Sequence, residues 1–264
     1  MPGSSRSHFA QRLSLAALVA ISTLALGACQ NKDGLGGVDP LTTGSTAPVS
    51  LKETAKLGER WQADPKNMQL GLSYAAQLEK LGQKDQQLQV LSTLTQYHPQ
   101  DQKLLTAYGR ELAQAGHSEQ AQAVLGKAIA TGSTDWKAYS AMGSTLDQQA
   151  KYGEARDYYQ RALKISPGNP AVLNNLGMSY ALAGDLKQAE AVLKDAAQSP
   201  EGKKEPRLRQ NLALVVGLQG RFDESRQIAS TDLPPDAVEE NMAYLQKMLA
   251  QPNTWQQLTD KPAG

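Results

Sequence analysis

The residues that could do chemistry in this 264-residue chain are few and widely spaced. No HExxH, CxxC or GxSxG motif brings reactive side chains together, and the GLGG at 34–37 opens no helical pattern that could hold a phosphate. A proline or a glycine stands beside two of the histidines, which predicts helix ends rather than a catalytic or metal site. We therefore predict a protein that is not an enzyme and uses no cofactor and no metal. The cysteine and histidines are Cys29, His8, His98 and His117.

Cys29, the single cysteine, ends the only long apolar run of the chain. A short basic segment precedes that run, LSLAALVAISTLALGA, whose 16 residues fall short of the roughly 20 that a membrane-spanning helix needs. This layout is typical of an export signal, which we place at residues 1–28. A buried core cysteine is the alternative, but it explains neither the basic flank nor the polar stretch that follows.

Leu26-Gly27-Ala28-Cys29 resembles the lipobox of bacterial lipoproteins. The resemblance implies cleavage before Cys29, lipidation of that cysteine and attachment to a membrane through the lipid. Gln30 follows the cysteine where an aspartate would favour retention at the inner membrane. The expected location is therefore the periplasmic face of the outer membrane.

The rest of the chain is close to electrical balance. Residues 1–29 hold two arginines and no acid, which leaves 25 basic and 26 acidic residues from the totals of 27 and 26. This balance argues against nucleic acid as a partner, and nothing in the sequence indicates a small-molecule substrate. Residues 29–50 are rich in Gly, Ser, Thr and Pro and predict a flexible tether.

An internal repeat of 34 residues decides the predicted fold. Small residues recur at this period in two series, and we expect them where helices approach closely. A further series of glycines marks the turn between two helices, and Tyr139, Met142, Gly143 and Leu146 share one face of a first helix. The predicted packing residues are Gly109, Gly143 and Gly177 in one series and Ala121, Ala155 and Ala189 in the other.

The unit at 136–169 resembles the tetratricopeptide repeat (TPR), with Tyr139 and Tyr159 at two of its aromatic positions. We predict an all-α TPR solenoid of about five helical hairpins at 68–235. The sequence places a capping half-repeat at 51–67, a C-terminal capping helix at 236–250 and a tail at 251–264. The repeats begin near 68, 102, 136, 170 and 206.

The family resemblance implies that the first helix of each repeat lines an inner groove that receives a protein partner. At the C-terminal end the groove positions form an apolar strip with polar edges, which we favour as the docking surface: Asn174, Met178, Gln210 and Leu214. At the N-terminal end they are basic: Lys103, Arg110 and Lys137. An ordinary solvated helix face remains the alternative for each of them.

The C-terminal third carries a second resemblance. Three motifs follow one another here in an order that repeat packing does not require. They are NLALVVGLQGRF, then DLPP, then a predicted helix with the pattern NxxYLxxML. This succession resembles TadD, the lipoprotein family of the Flp/Tad (tight adherence) type IV pilus assembly system. The resemblance implies a lipid-anchored scaffold that helps the outer-membrane secretin of the pilus machine to reach its place or to assemble.

Two other functions stay open at the level of sequence. A TPR lipoprotein of another envelope pathway, such as outer-membrane protein insertion or peptidoglycan-synthase activation, would share the anchor and the groove. A lipid-anchored hydrolase would need a nucleophile and a base that the sequence does not bring together. The partner that co-purifies distinguishes the first alternative from pilus assembly.

Overall fold

The computed structural model describes residues 50–250, which contain twelve α-helices, one short 3₁₀ helix and no strand. A single helix, α1 (Leu51–Ala63), comes first, and five pairs of antiparallel helices follow. A last helix, α12 (Pro235–Leu249), ends the described part of the chain. The pairs are α2 (Met68–Lys80) with α3 (Lys84–Tyr97), α4 (Gln102–Gln114) with α5 (Ser118–Ala130), α6 (Trp136–Gln148) with α7 (Tyr152–Ile165), α8 (Pro170–Leu182) with α9 (Leu186–Gln198), and α10 (Pro206–Leu218) with α11 (Phe222–Ala229).

The first helices of the pairs begin at a repeated capping residue. An Asn or Asp side chain accepts a hydrogen bond from a backbone N–H of the first turn at α2, α4, α6 and α8. Such caps satisfy N–H groups that have no partner inside the helix, and each contributes about 1 kcal/mol. The series is Asn67, Asp101, Asp135 and Asn169, which adds a further set of residues with the 34-residue period.

The 34-residue period breaks before the fifth pair. The 3₁₀ helix Gly202–Lys204 lies between α9 and α10, and α10 has no side-chain cap. Arg209 holds this junction together, because its guanidinium donates to both carboxylate oxygens of Asp232 at 2.5 and 2.7 Å and to the Lys203 carbonyl oxygen at 2.5 Å. An ion pair therefore closes the fifth repeat at a junction where the period is lost.

Close contacts within the pairs occur at the predicted small residues. A Cβ atom added at Gly109, Gly143 or Gly177 would lie 2.5 to 2.7 Å from a side chain of the second helix, which is too close for any real contact. The alanines of the other series, Ala121, Ala155 and Ala189, are fully buried.

The helices stack in sequence order, and each pair contacts the next. At one end Trp61 of α1 is buried and its ring centroid lies 5.9 Å from that of Tyr74. At the other end Met242 and Leu245 of α12 are buried in the same apolar cluster as α10. The predicted solenoid of about five hairpins, with a half-repeat before it and a capping helix after it, is confirmed. Within residues 50–250 no helix is both long and apolar enough to cross a membrane.

Candidate protein-binding surface

The first helices of repeats two to five lie in one row. Helix α4 contacts α6, α6 contacts α8, and α8 contacts α10. The second helices α5, α7, α9 and α11 each pack against the first helix of their own pair. We call the solvent side of the row the inner surface; it is formed by residues of α4, α6, α8 and α10. Every predicted groove residue lies on one of these four helices.

Polar side chains join neighbouring first helices. Asn175 Nδ2 donates to Ser140 Oγ at 3.2 Å, which joins α8 to α6. Asn211 Nδ2 donates to Asn174 Oδ1 at 2.7 Å, which joins α10 to α8. Asn174 is only 7% exposed, so its side chain stabilises the row and offers little surface to a partner.

The other residues of the predicted apolar strip are partly exposed. Met178 and Leu214 pack against the C-terminal apolar cluster and keep part of their surface in solvent. Gln210 Nε2 lies 3.4 Å from Asp232 Oδ2 and 3.5 Å from the Ala229 carbonyl oxygen, both long for a hydrogen bond. Met178, Gln210 and Leu214 therefore form the accessible part of this strip.

The predicted basic residues lie on α4 and α6. Lys103 is exposed, whereas Arg110 and Lys137 are partly buried. Lys137 is engaged in an interaction of its own. Between Lys103 and Arg110, Thr106 is buried and its hydroxyl donates to the Gln102 carbonyl oxygen at 2.7 Å.

A partly buried carboxyl group, that of Asp147, lies at the C-terminal end of α6. Tyr159 OH donates to Asp147 Oδ2 at 2.8 Å, and Ser179 Oγ donates to Asp147 Oδ1 at 2.7 Å. Burial raises the pKa of Asp147 to about 6, although the two hydrogen bonds and the nearby Arg156 guanidinium favour its charged form. The carboxyl group therefore joins α6 to both α7 and α8, and its charge is unfavourable there.

The repeat unit at 136–169 contains Asp147 in its first helix, but the sequence does not reveal the hydrogen bonds of this carboxyl group. Tyr159 is the sequence feature that could have indicated these hydrogen bonds, because the neighbouring repeats have Leu125 and Leu193 at its position in the 34-residue period. A buried tyrosine hydroxyl needs a hydrogen-bond partner, which here is the carboxyl group. Burial also raises the pKa of Tyr159 well above its usual value.

Among residues 50–250 no three His, Cys, Asp or Glu side chains come close enough to hold a metal ion. His98 ends α3, where its ring Nε2 lies 2.7 Å from the Lys66 carbonyl oxygen, and His117 precedes α5. Cys29 and the predicted signal, tether and tail lie outside the described residues, apart from Ser50.

Family models identify the repeat unit. Two tetratricopeptide repeat models match this chain, one over residues 106–170 and the other over residues 148–201. The helical hairpins within residues 106–201 are therefore tetratricopeptide repeats, and the described array has the solenoid fold of such repeats. Repeats of this kind stack into extended surfaces that bind protein partners.

Solved structures share this fold. PilW, described as a widely conserved type IV pilus biogenesis factor, aligns over 79% of this chain and 90% of its own, with 21% identity and a TM-score of 0.57. A thermophilic TPR protein of Thermus thermophilus aligns over 68% and 98%, with 22% identity and a TM-score of 0.57. A TPR protein of Parabacteroides merdae aligns over 74% and 77%, with 14% identity and a TM-score of 0.61. At these identities the similarity shows the fold alone, and no curated protein sequence matches the chain.

Proposed function

We propose that this chain is a lipid-anchored TPR scaffold that assists Flp/Tad pilus assembly by supporting the localisation or assembly of the outer-membrane secretin. The observation that carries the proposal is the inner surface, where four first helices in a row present partly exposed side chains. Such a row suits an elongated protein segment better than a small molecule.

Two sequence features and one structural neighbour direct the proposal towards the pilus. The C-terminal succession of motifs resembles the TadD family, and the segment before Cys29 resembles a lipoprotein signal. PilW, which has the same fold, is described as a type IV pilus biogenesis factor. A lipid on Cys29 would confine the inner surface to the membrane and so raise its effective concentration near a partner in that membrane.

Co-purification tests the proposal directly. The full-length protein, tagged at its C-terminus, is cross-linked in living cells and isolated from detergent-solubilised envelopes, and mass spectrometry identifies its partners. We expect the pilus secretin, and we expect deletion of the gene to reduce secretin multimers in the outer membrane. Recovery of an outer-membrane insertion factor or a peptidoglycan synthase, with normal secretin multimers in the deletion strain, would instead support the alternative pathway.

Variants of the apolar strip test whether the partner docks on the inner surface. Met178→Gln combined with Leu214→Gln removes apolar contact area from repeats four and five. Lys127→Glu combined with Lys164→Glu is the control, because these exposed residues lie on the second helices α5 and α7. We expect only the first pair to reduce secretin capture while both variants keep a folded helical spectrum. Equal capture by both variants would exclude the strip as the docking surface.

A further inference from the structure

A cleft lies between the hairpin turns of repeats four and five, beside the last turn of α12. Its volume is about 560 Å³, and its lining includes one leucine from each of α9, α10 and α12, namely Leu186, Leu218 and Leu249. The turn residues Gly184 and Gly220 also line it, and they are 36 residues apart, whereas Ala150 and Gly184 are 34 apart. The cleft therefore coincides with the change in the repeat period.

The cleft leaves apolar surface uncovered at the end of the array. Leu186 and Leu218 are buried at its floor, but Leu249, the last residue of α12, keeps part of its surface in solvent. A Cβ atom added at Gly220 would meet nothing within 4 Å, so the side towards this turn is open. Stacked repeats need a cover with a polar outer face at their ends, and α12 supplies it only in part.

The chain continues from the edge of this cleft into a polar segment that contains a tryptophan. Residues 251–264, QPNTWQQLTDKPAG, follow α12 and lie outside the described residues. The large apolar side chains of this segment are Trp255 and Leu258. The other two tryptophans of the chain, Trp61 and Trp136, pack against apolar clusters of the array. An indole ring gains most from an apolar site with a hydrogen-bond acceptor at its edge, and the cleft has this composition.

Trp255 is within reach of the cleft. It follows Leu249 by six residues, and an extended chain spans at most about 3.5 Å per residue, or roughly 20 Å in all. Leu249 itself lines the cleft, so the chain leaves α12 at the site. The carboxylate of Asp185 and the amide oxygen of Gln219 stand beside the leucines and could accept from the indole N–H.

We propose that residues 251–264 cover this cleft, with the Trp255 side chain packed against Leu186, Leu218 and Leu249. The contact fixes the end of α12 on repeats four and five and completes the C-terminal cap of the array. The segment is already held at the site by α12, so its effective concentration there is high. The inference depends neither on the secretin nor on the lipid anchor.

Iodide quenching of tryptophan fluorescence tests the shielding of Trp255. The full-length protein with Trp61→Phe and Trp136→Phe keeps Trp255 as its single tryptophan. We expect a quenching constant at least threefold below that of N-acetyltryptophanamide, and an increase of at least twofold when Leu249→Gln is added. Ile165→Gln is the matched control and should leave the constant unchanged, because Ile165 is also the partly exposed last residue of a helix but does not line the cleft.

Disulfide formation tests the location of the segment in a protein that keeps all three tryptophans. In full-length Cys29→Ser protein, Thr254→Cys is combined with Lys187→Cys, which puts the second thiol at the cleft. The control combines Thr254→Cys with Glu119→Cys, because Glu119 is exposed at the same repeat position 68 residues earlier. We expect the first pair to oxidise at least tenfold faster than the control pair, and both proteins to melt within a few degrees of each other.

Quenching of Trp255 as efficient as that of N-acetyltryptophanamide would overturn the inference and leave the cleft open to a separate partner. Shielding that Leu249→Gln does not change, or equal oxidation rates for the two cysteine pairs, would show that the segment lies elsewhere. Shielding that is lost on tenfold dilution would show that the segment covers the cleft of a second copy, which also contradicts the inference. None of these results bears on secretin capture, which tests the proposed function separately.

Discussion

Asp147 is the residue whose burial has the clearest thermodynamic consequence. Its pKa is about 6 in the folded protein and 3.8 without the fold, so the folded protein holds this proton more tightly than the unfolded chain does. The stability that this protonation provides is fully present below pH 4 and is lost as the pH rises through 6. A pKa shift of this size corresponds to a change of roughly 2–3 kcal/mol in the free energy of unfolding.

Asp147→Asn should therefore stabilise the protein at pH 7.5 and change little at pH 4.5. An asparagine can still accept from Ser179 and donate to Tyr159, but it carries no charge. Urea unfolding of both proteins at the two pH values measures the difference. Asp157→Asn, on the exposed face of α7, is the control and should show no such pH dependence. A stability difference between Asp147→Asn and wild type that is the same at both pH values would contradict the prediction.

Single residues were the least predictable from the sequence. The 34-residue period predicts that Asn174 faces the row of first helices. It does not predict that the Asn174 side chain is buried or that it accepts a hydrogen bond from Asn211. The period likewise places Asp147 without its partners, because those partners come from α7 and α8 and depend on how three helices meet. Hydrogen bonds between repeats depend on side-chain geometry, which repeat spacing does not specify.

At the scale of elements, one hairpin turn departs from the others. Ala150 has φ of 58°, and among the described residues it is the only residue other than glycine in the left-handed region. The corresponding turns contain glycine, for example Gly116 with φ of 81° and Gly184 with φ of 85°. An L-residue in this conformation is strained by about 1–2 kcal/mol.

Ala150→Gly should stabilise the protein by roughly 0.5–1 kcal/mol, after allowance for the greater freedom of glycine in the unfolded chain. Ala183→Gly is the opposite control. Ala183 has a right-handed backbone conformation at the end of α8, so a glycine there relieves no backbone strain. Thermal melts of the two variants should shift in opposite directions. Shifts of the same sign would show that the turn at Ala150 is not strained.

Gly143 tests the close approach within a hairpin. A Cβ atom there would lie 2.7 Å from Tyr159 Cε1, so Gly143→Ala should push the two helices apart and destabilise the protein by roughly 1–3 kcal/mol. Gly153→Ala is the control, because a Cβ atom on Gly153 meets nothing within 4 Å in the first turn of α7. Chemical denaturation should show a loss only for Gly143→Ala. A gain for both variants, as helix propensity alone would give, would contradict the packing described here.

At the scale of the whole molecule, the repeat period was sufficient to predict the fold. Each hairpin is one unit that cannot bury its apolar face alone, so a regular series of small residues specifies both the hairpin and its stacking. The period could not predict the junction before α10, where a 3₁₀ helix and the Arg209–Asp232 pair replace the regular cap. It also carries no information about the partner, since the residues that contact a partner are those that packing leaves free.

The proposed lipid anchor and the folded array have separate roles in the proposed scaffold. If a lipid on Cys29 holds the array at the outer membrane, Cys29→Ser should release it from that membrane or leave an unprocessed precursor, while residues 50–250 keep their stability. Sucrose-gradient fractionation reports the location, and thermal melting of the purified array reports the fold.

We expect the Cys29→Ser protein to keep its fold but not to support pilus assembly, because the inner surface would no longer be concentrated at the membrane. The Met178→Gln, Leu214→Gln variant is the complement and should stay in the outer membrane without capturing the secretin. Unchanged outer-membrane fractionation of Cys29→Ser would contradict the lipid anchor. Normal pilus assembly by a fully released Cys29→Ser protein would show that the scaffold works without it.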